Sequence, residues 1–227
     1  MLIIQFIIGC IVGSFICLAA ERVPIGGSII SPASQCVYCK TNLRFYDLLP
    51  IISIILLRFR CRYCHHRLSI SYLFSELVCG LLFVATTFTD WYSVYTLFFL
   101  LTTFTLTLTD IFYLIVEPKF FYPFGILLCV CHYFFGLPLH MVTGICVFIT
   151  LISFTYVFPK SIGGGDILLV SLWGVLLGNR ALIFLLFIAS SCALLFLLFC
   201  HFFLNKKIQQ LPFVPFLNIG LLCIIFI

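Results

Sequence analysis

Apolar residues run along this chain in long unbroken stretches, not in the alternating or three-to-four spacing of a half-buried element. The stretches lie at about 2–20, 71–89, 92–110, 121–137, 141–158, 166–178, 181–203 and 211–227. Turn-forming or polar breaks separate them at Asp90, Pro118-Lys119, Leu137-Pro138, Pro159 to Gly165, Asn179-Arg180 and Asn205 to Pro212. A helix that is apolar all round and about 20 residues long spans a bilayer, where every backbone group must be satisfied within the segment. The pattern therefore predicts an all-α, polytopic transmembrane helix bundle of about eight spans, the sixth of them short. It divides the chain into a first span at 1–20, a polar loop at 21–70 and a membrane core at 71–227.

Composition agrees, with 64% hydrophobic and 8% charged residues against the roughly 25% charged residues of a soluble domain. The net charge of +5 is then a matter of topology, and no nucleic-acid partner is expected. The first stretch lacks a basic lead-in and a small-residue cleavage site, so it reads as a span and not as a removable signal. With the N-terminus outside, Arg22, Lys40, Arg44, Arg58, Arg60, Arg62, Arg67, Lys119, Lys160, Lys206 and Lys207 all fall inside. Only Arg180 is left outside. Eleven of the twelve basic residues on one side fixes the direction by the positive-inside rule.

The polar loop holds Cys36-Val37-Tyr38-Cys39 and Cys61-Arg62-Tyr63-Cys64. Two CxxC pairs at this separation fit a four-thiolate zinc site, each pair forming one tight knuckle. A cytoplasmic loop disfavours the disulfide reading, because thiols there are kept reduced. About fifty polar residues cannot bury enough surface to fold unaided, and a structural metal supplies that energy. His65 and His66 read as solvated neighbours of a complete site. The other nine cysteines lie in apolar stretches and read as small buried hydrophobes.

Only seven residues are acidic, and two of these, Asp110 and Asp166, stand at the ends of apolar stretches. A carboxylate at membrane depth costs about 2.5–3.5 kcal/mol even on lenient insertion scales, which makes each a candidate functional residue. Asp110 ends an inward-running span and Asp166 opens an outward-running one. Both are therefore expected at the cytoplasmic face, although 56 positions separate them. Asp166 follows Gly163-Gly164-Gly165, which lets the backbone turn sharply and approach another chain. Taken alone, that motif also reads as a loop breaker with a helix N-cap.

The order of motifs resembles the type IV prepilin peptidase family, membrane aspartyl proteases of the GxGD class, and most closely its late-competence Gram-positive branch. The likeness runs from Gly13-Ser14-Phe15 and Arg22-Val23-Pro24 through Ser34, the two CxxC pairs and Asp47-Leu48-Leu49-Pro50 with Ser53. It continues through Tyr72, Glu76 and Gly80 to Asp110, the GxGD aspartate Asp166, and Pro212-Phe213 with Pro215-Phe216. The chain departs from the family pattern at Cys17, at Leu168 and in the Glu117-Pro118-Lys119 stretch.

The resemblance implies an endopeptidase that removes the short basic leader from prepilin or pseudopilin subunits of the type IV pilus or competence kind. Asp110 and Asp166 would be its catalytic pair, and zinc on Cys36, Cys39, Cys61 and Cys64 would be structural. Methylation of the new N-terminus with S-adenosylmethionine is left open. Glu76 reads as a helix-end charge facing headgroups, and Glu117 as a solvated loop acid. Two other classes compete: a proton- or ion-coupled transporter using the carboxylates, and a membrane scaffold that binds a partner through its zinc loop.

Overall fold

The computed structural model describes residues 1–30, 34–36, 38–86, 88, 90–159, 162–204 and 210–226. Lys160, Lys206 and Lys207, counted above for the orientation, lie outside the described residues. Among those described, the chain is all-helical: α1 (Leu2–Arg22), α2 (Ile52–Leu56), α3 (Ile70–Ala85), α4 (Trp91–Tyr113), α5 (Pro118–Phe134), α6 (Met141–Val157), α7 (Gly164–Leu204) and α8 (Val214–Phe226). A 3₁₀ turn at Phe45–Leu48 precedes α2. By length and composition α1, α4 and α7 are each able to cross a membrane, and α3, α6 and α8 are shorter apolar helices.

Apart from α2, which lies in the polar loop, each helix answers to one apolar stretch once α7 is divided. Gly178 breaks it with φ 75° and ψ 174°, leaving a short arm at 164–177 and a longer one at 179–204. The expected break at Asn179-Arg180 thus sits one residue early. A side chain at Gly178 would be strained by its φ and would also meet the His140 ring at 2.8 Å. Pro118 proves to be the first residue of α5 and not a separator, since an N1 proline sacrifices no helical hydrogen bond. Helix α4 runs three residues past the expected end, so Asp110 lies inside its last turn.

The chain falls into two compact units, Met1–Leu101 and Thr102–Ile227. In the first, α1 packs along α3 with backbones nearly in contact. A Cβ on Gly9 would lie 2.6 Å from the Cys79 carbonyl oxygen, and one on Gly80 would lie 2.7 Å from the Phe6 ring. A Cβ on Gly13 would overlap the Ser75 carbonyl oxygen. Gly9 and Gly13 form a GxxxG step, which lets apolar helices meet by close packing where lipid offers no hydrophobic drive. Cys17 and Ala20, fully buried, continue the same small-residue face.

In the second unit α7 is the central element. It packs against α6 and α8, with a lighter contact to α5. Gly144 of α6 fits against Val175 and the Ser171 carbonyl, and Gly220 of α8 against the Leu185 carbonyl. Along α4, Thr103 and Thr107 form a buried polar seam with Asn218 of α8. The Thr103 hydroxyl donates to Asn218 Oδ1 at 3.1 Å, and Asn218 Nδ2 donates to the Thr107 hydroxyl at 3.3 Å. Asp110 continues that seam one turn further on.

Candidate active site and metal centre

In the second unit, Asp110 is buried in the last turn of α4, 5% exposed. Its Oδ2 accepts the Val214 backbone N–H at 2.9 Å, and the carboxylate also accepts from the Phe213 N–H. These are orphan amides at the N-terminus of α8, where the helix dipole favours negative charge. Pro215 has no N–H to offer, so Asp110 answers the donors that remain there.

Asp166 is the third residue of α7, and its carboxylate reaches back to the Gly163 N–H, half of a capping box. The charge on Asp110 acts on Asp166, although 56 positions separate the two acids in sequence. The approach depends on Gly165, where a Cβ would lie 2.7 Å from Val116 Cβ. Val116 belongs to the turn leaving α4, and that turn opens on Leu114 with φ 56°. A leucine in the left-handed region costs roughly 1–2 kcal/mol, a local strain of the kind that gathers at functional sites.

Glu117 corrects the sequence reading. It is not a solvated loop acid but is 6% exposed, immediately before Pro118 at the start of α5. Asn218, Thr103 and Thr107 were not singled out in the sequence at all. Positions 103, 107 and 110 share one helical face, but Thr102, Thr105 and Thr109 lie among them, so polarity in the sequence did not by itself mark that face.

In the first unit the four cysteines converge, with their Sγ atoms all within 4.8 Å of one another. Cys36 Sγ and Cys64 Sγ are 3.8 Å apart. A tetrahedron with zinc–sulfur bonds of about 2.3 Å has edges of about 3.8 Å, so the donor set and its spacing fit zinc. The two knuckles are copies of one another. Cys36 N–H donates to the Thr41 carbonyl and Lys40 N–H to the Cys36 carbonyl; Cys61 N–H donates to the His66 carbonyl and His65 N–H to the Cys61 carbonyl. Lys40 and His65, each four residues after the leading cysteine, share φ 55°. Bridges Gln35 to Asn42 and Arg60 to Arg67 close the two hairpins at equivalent positions.

Hydrogen bonds to Cys39 favour its thiolate. The Thr41 side chain, and then its backbone amide, bring that thiol down to about 6. His65 and His66 are exposed beside the cluster, as expected.

Two carboxylates stitch the loop together. Asp47, 9% exposed, accepts Arg62 Nε at 2.7 Å, the Tyr63 hydroxyl at 3.2 Å and the Arg44 N–H at 3.3 Å, tying the second knuckle to the middle of the loop. Glu76 does not face headgroups. It is 3% exposed and accepts the Ile51 N–H at 2.7 Å and the Ser14 hydroxyl, fastening the loop to α1 and α3. Ile51 carries φ 60°, a costly conformation for a β-branched residue that this buried bond helps to hold. Nearby, the Tyr72 hydroxyl donates to Glu21, a second link between α1 and α3.

Comparison with known proteins gives the same division. Residues 7–89 match the bacterial peptidase A24 N-terminal domain, which takes in all four loop cysteines. Residues 97–198 match the type IV leader peptidase family, which takes in both aspartates. The chain is 32% identical over 192 residues to a prepilin leader peptidase/N-methyltransferase of Bacillus subtilis (strain 168), covering 80% of this chain and 76% of that protein. It is 42% identical over 80 residues to a protein of the same description from Myxococcus xanthus (strain DK1622), covering 35% of this chain and 24% of the relative. A relative from Pseudomonas putida is 31% identical over 98 residues, covering 34% of each chain. No solved structure matches. A membrane-helix bundle with paired acids in one unit and a thiolate cluster in the other is the class defined here. Within that class, the chain belongs to the type IV prepilin peptidase family.

Proposed function

We propose that this chain is a membrane endopeptidase that removes the short basic leader of prepilin-like subunits at the cytoplasmic face, with Asp110 and Asp166 as its catalytic pair. The observation that carries the reading is the close approach of Gly165, beside Asp166, to Val116 in the turn after α4, where the charge on Asp110 acts on Asp166. Two close carboxylates cannot both ionise cheaply, so the pair holds one proton between them. The ionised member takes a proton from water, and the resulting hydroxide attacks the scissile carbonyl carbon. The protonated member donates to the carbonyl oxygen as it gains charge. Collapse of the tetrahedral species breaks the C–N bond, and the proton taken from water passes to the departing amine. The proton belongs to the pair, so neither residue owns one role.

The distribution of basic residues in sequence supports the cytoplasmic side. Gly163 to Gly165 supply a backbone without side chains beside Asp166, suited to an extended substrate segment, and an apolar substrate helix would lie among the spans. Zinc is the metal proposed for the loop. Four thiolates complete its tetrahedron and leave no position for substrate, so its role is structural. The relatives' names include methyl transfer, but among the described residues no side-chain set assigns a site for S-adenosylmethionine, and the chemistry derived for this chain is hydrolysis.

Asparagine separates catalysis from capping. Asp110→Asn and Asp166→Asn each keep an acceptor oxygen for the Val214 or Gly163 amide but cannot share a proton. Co-expressed with a prepilin-like substrate, each variant is expected in the membrane at normal abundance with leader removal abolished. Cleavage retained by both would overturn the assignment.

A further inference from the structure

The first unit carries a concentration of positive charge that neither the metal cluster nor the proposed peptidase chemistry uses. Arg58, Arg60, Arg62 and Arg67 are all exposed within ten residues that contain no acid. The bridge that closes the second knuckle sets Arg60 opposite Arg67, an arrangement of like charges that destabilises a strand pair on its own. Consecutive left-handed residues, Arg58 at φ 52° and Phe59 at φ 58°, turn the chain here. The turn borders a half-open cavity of about 420 Å³ whose lining includes Arg58, Arg60, Arg62, His65, Leu56 and the metal-cluster residue Cys61, with no carboxylate in its wall. Asp47 engages Arg62 from elsewhere and leaves that side chain 48% exposed.

Beside the cavity, α2 buries Ser53 and Ile54 and turns the opposite face outward. Ile52, Ile55 and Leu56, at i, i+3 and i+4, are 56%, 55% and 76% exposed. Apolar side chains next to a basic pocket, a few residues before the apolar helix α3 begins at Ile70, match the chemistry of a lipid–water boundary. A basic peptide leader would be repelled by such a pocket, and a free phosphate would have no use for the apolar face.

We propose that this cavity binds the phosphate of an acidic phospholipid headgroup, with Ile52, Ile55 and Leu56 entering the acyl boundary beside it. The loop then rests on the membrane surface through α2, and the metal knuckle holds the arginines at headgroup level. The inference rests on the chain being a membrane protein and not on the peptidase assignment.

The test uses the full chain with its metal, purified in an uncharged detergent and titrated with short-chain phosphatidylglycerol, the matching phosphatidylcholine and inorganic phosphate, with binding read by thermophoresis. Phosphatidylglycerol is expected to bind at least roughly tenfold more tightly than either other ligand, and the Arg58→Gln/Arg60→Gln pair to remove at least about tenfold of that affinity. Ile55→Ser/Leu56→Ser is expected to weaken the lipid and leave phosphate unchanged. Zinc content reports whether each variant is folded. If the glutamine pair loses zinc, Arg58→Lys/Arg60→Lys, which keeps the charge, takes its place and should retain the preference. Phosphatidylglycerol binding that is unchanged by the glutamine pair in zinc-loaded protein, or indifferent to salt in the wild type, would overturn the proposal. So would phosphate binding equal to the lipid with no effect of the serine pair, which would make this a pocket for free anions.

Discussion

The metal loop and the acid pair reach their geometry by opposite routes. Each knuckle of the loop closes within a few residues, through hydrogen bonds repeated almost atom for atom in its twin, and the farthest sulfurs to be joined are 28 residues apart. The acid pair has no such local closure. Asp110 is held by an amide 104 positions away, and Asp166 is placed where Gly165 admits Val116 from the turn after α4. The first kind of site is written in spacing; the second is assembled by helix packing. Damage should therefore stay local in the first and spread from distant positions in the second.

The largest expected effect sharpens the claim that the acids act as one unit. Either single asparagine substitution should lower the cleavage rate by roughly 10³-fold or more, and Asp110→Asn/Asp166→Asn should fall little further, as for residues that work together. A double variant whose defect equals the product of the two single ones, measured by single-turnover cleavage, would break the pair into independent parts.

Next in size is Cys36→Ser. Structural zinc in small domains carries roughly 10–16 kcal/mol of apparent binding energy, so losing one thiolate should empty the site and open the loop to trypsin at its arginines. Metal analysis should fall from about one zinc per chain to near zero, while protection of the second unit persists. Proteolysis spreading into both units would contradict the locality of this site.

Acid should do the same reversibly. The Cys39 thiol, held down to about 6 by Thr41, is a thiolate above that value and contributes binding there. A lowered value means that the contribution is lost as pH falls through about 6, so zinc release should rise below that point and reverse on neutralisation. Chelator competition across pH measures it.

Helix-packing positions test the other half of the contrast. Gly220→Leu on α8 forces a side chain into the Leu185 carbonyl, and overpacking of this kind costs about 1–3 kcal/mol where neighbours are able to shift. Backbone shifts less readily than side chains, so the cost should sit at the upper end, seen as faster denaturation in detergent. Asn218→Ala removes two hydrogen bonds, and the one with Thr103 should show the smallest effect of all, a coupling of roughly 0.6 kcal/mol for a bond between membrane helices. A double-mutant cycle with Thr103→Ala isolates that bond, and zero coupling would remove the seam from the account.

Much of this was legible beforehand, for identifiable reasons. Spans are long and apolar all round, so their existence shows without tertiary knowledge, and the spacing of Cys36, Cys39, Cys61 and Cys64 specifies a cluster directly. What escaped was the fate of individual polar groups. Glu76 and Glu117 resemble boundary charges in sequence, and only packing shows them buried. Gly178 was obscured by Asn179-Arg180, whose polarity imitates a loop while the backbone turns one residue earlier. The amide partners of Asp110 were invisible because nothing near position 110 anticipates residues 213 and 214.

That last contact has a consequence for synthesis. A nascent polypeptide that has emerged as far as residue 200 already contains both acids and the turn between its glycines, yet the donors that seat Asp110 have still to be made. Ribosome-bound intermediates should therefore be inert toward neighbouring proteins, and competence for hydrolysis should arrive abruptly, when α8 docks and its first amides close over the carboxylate.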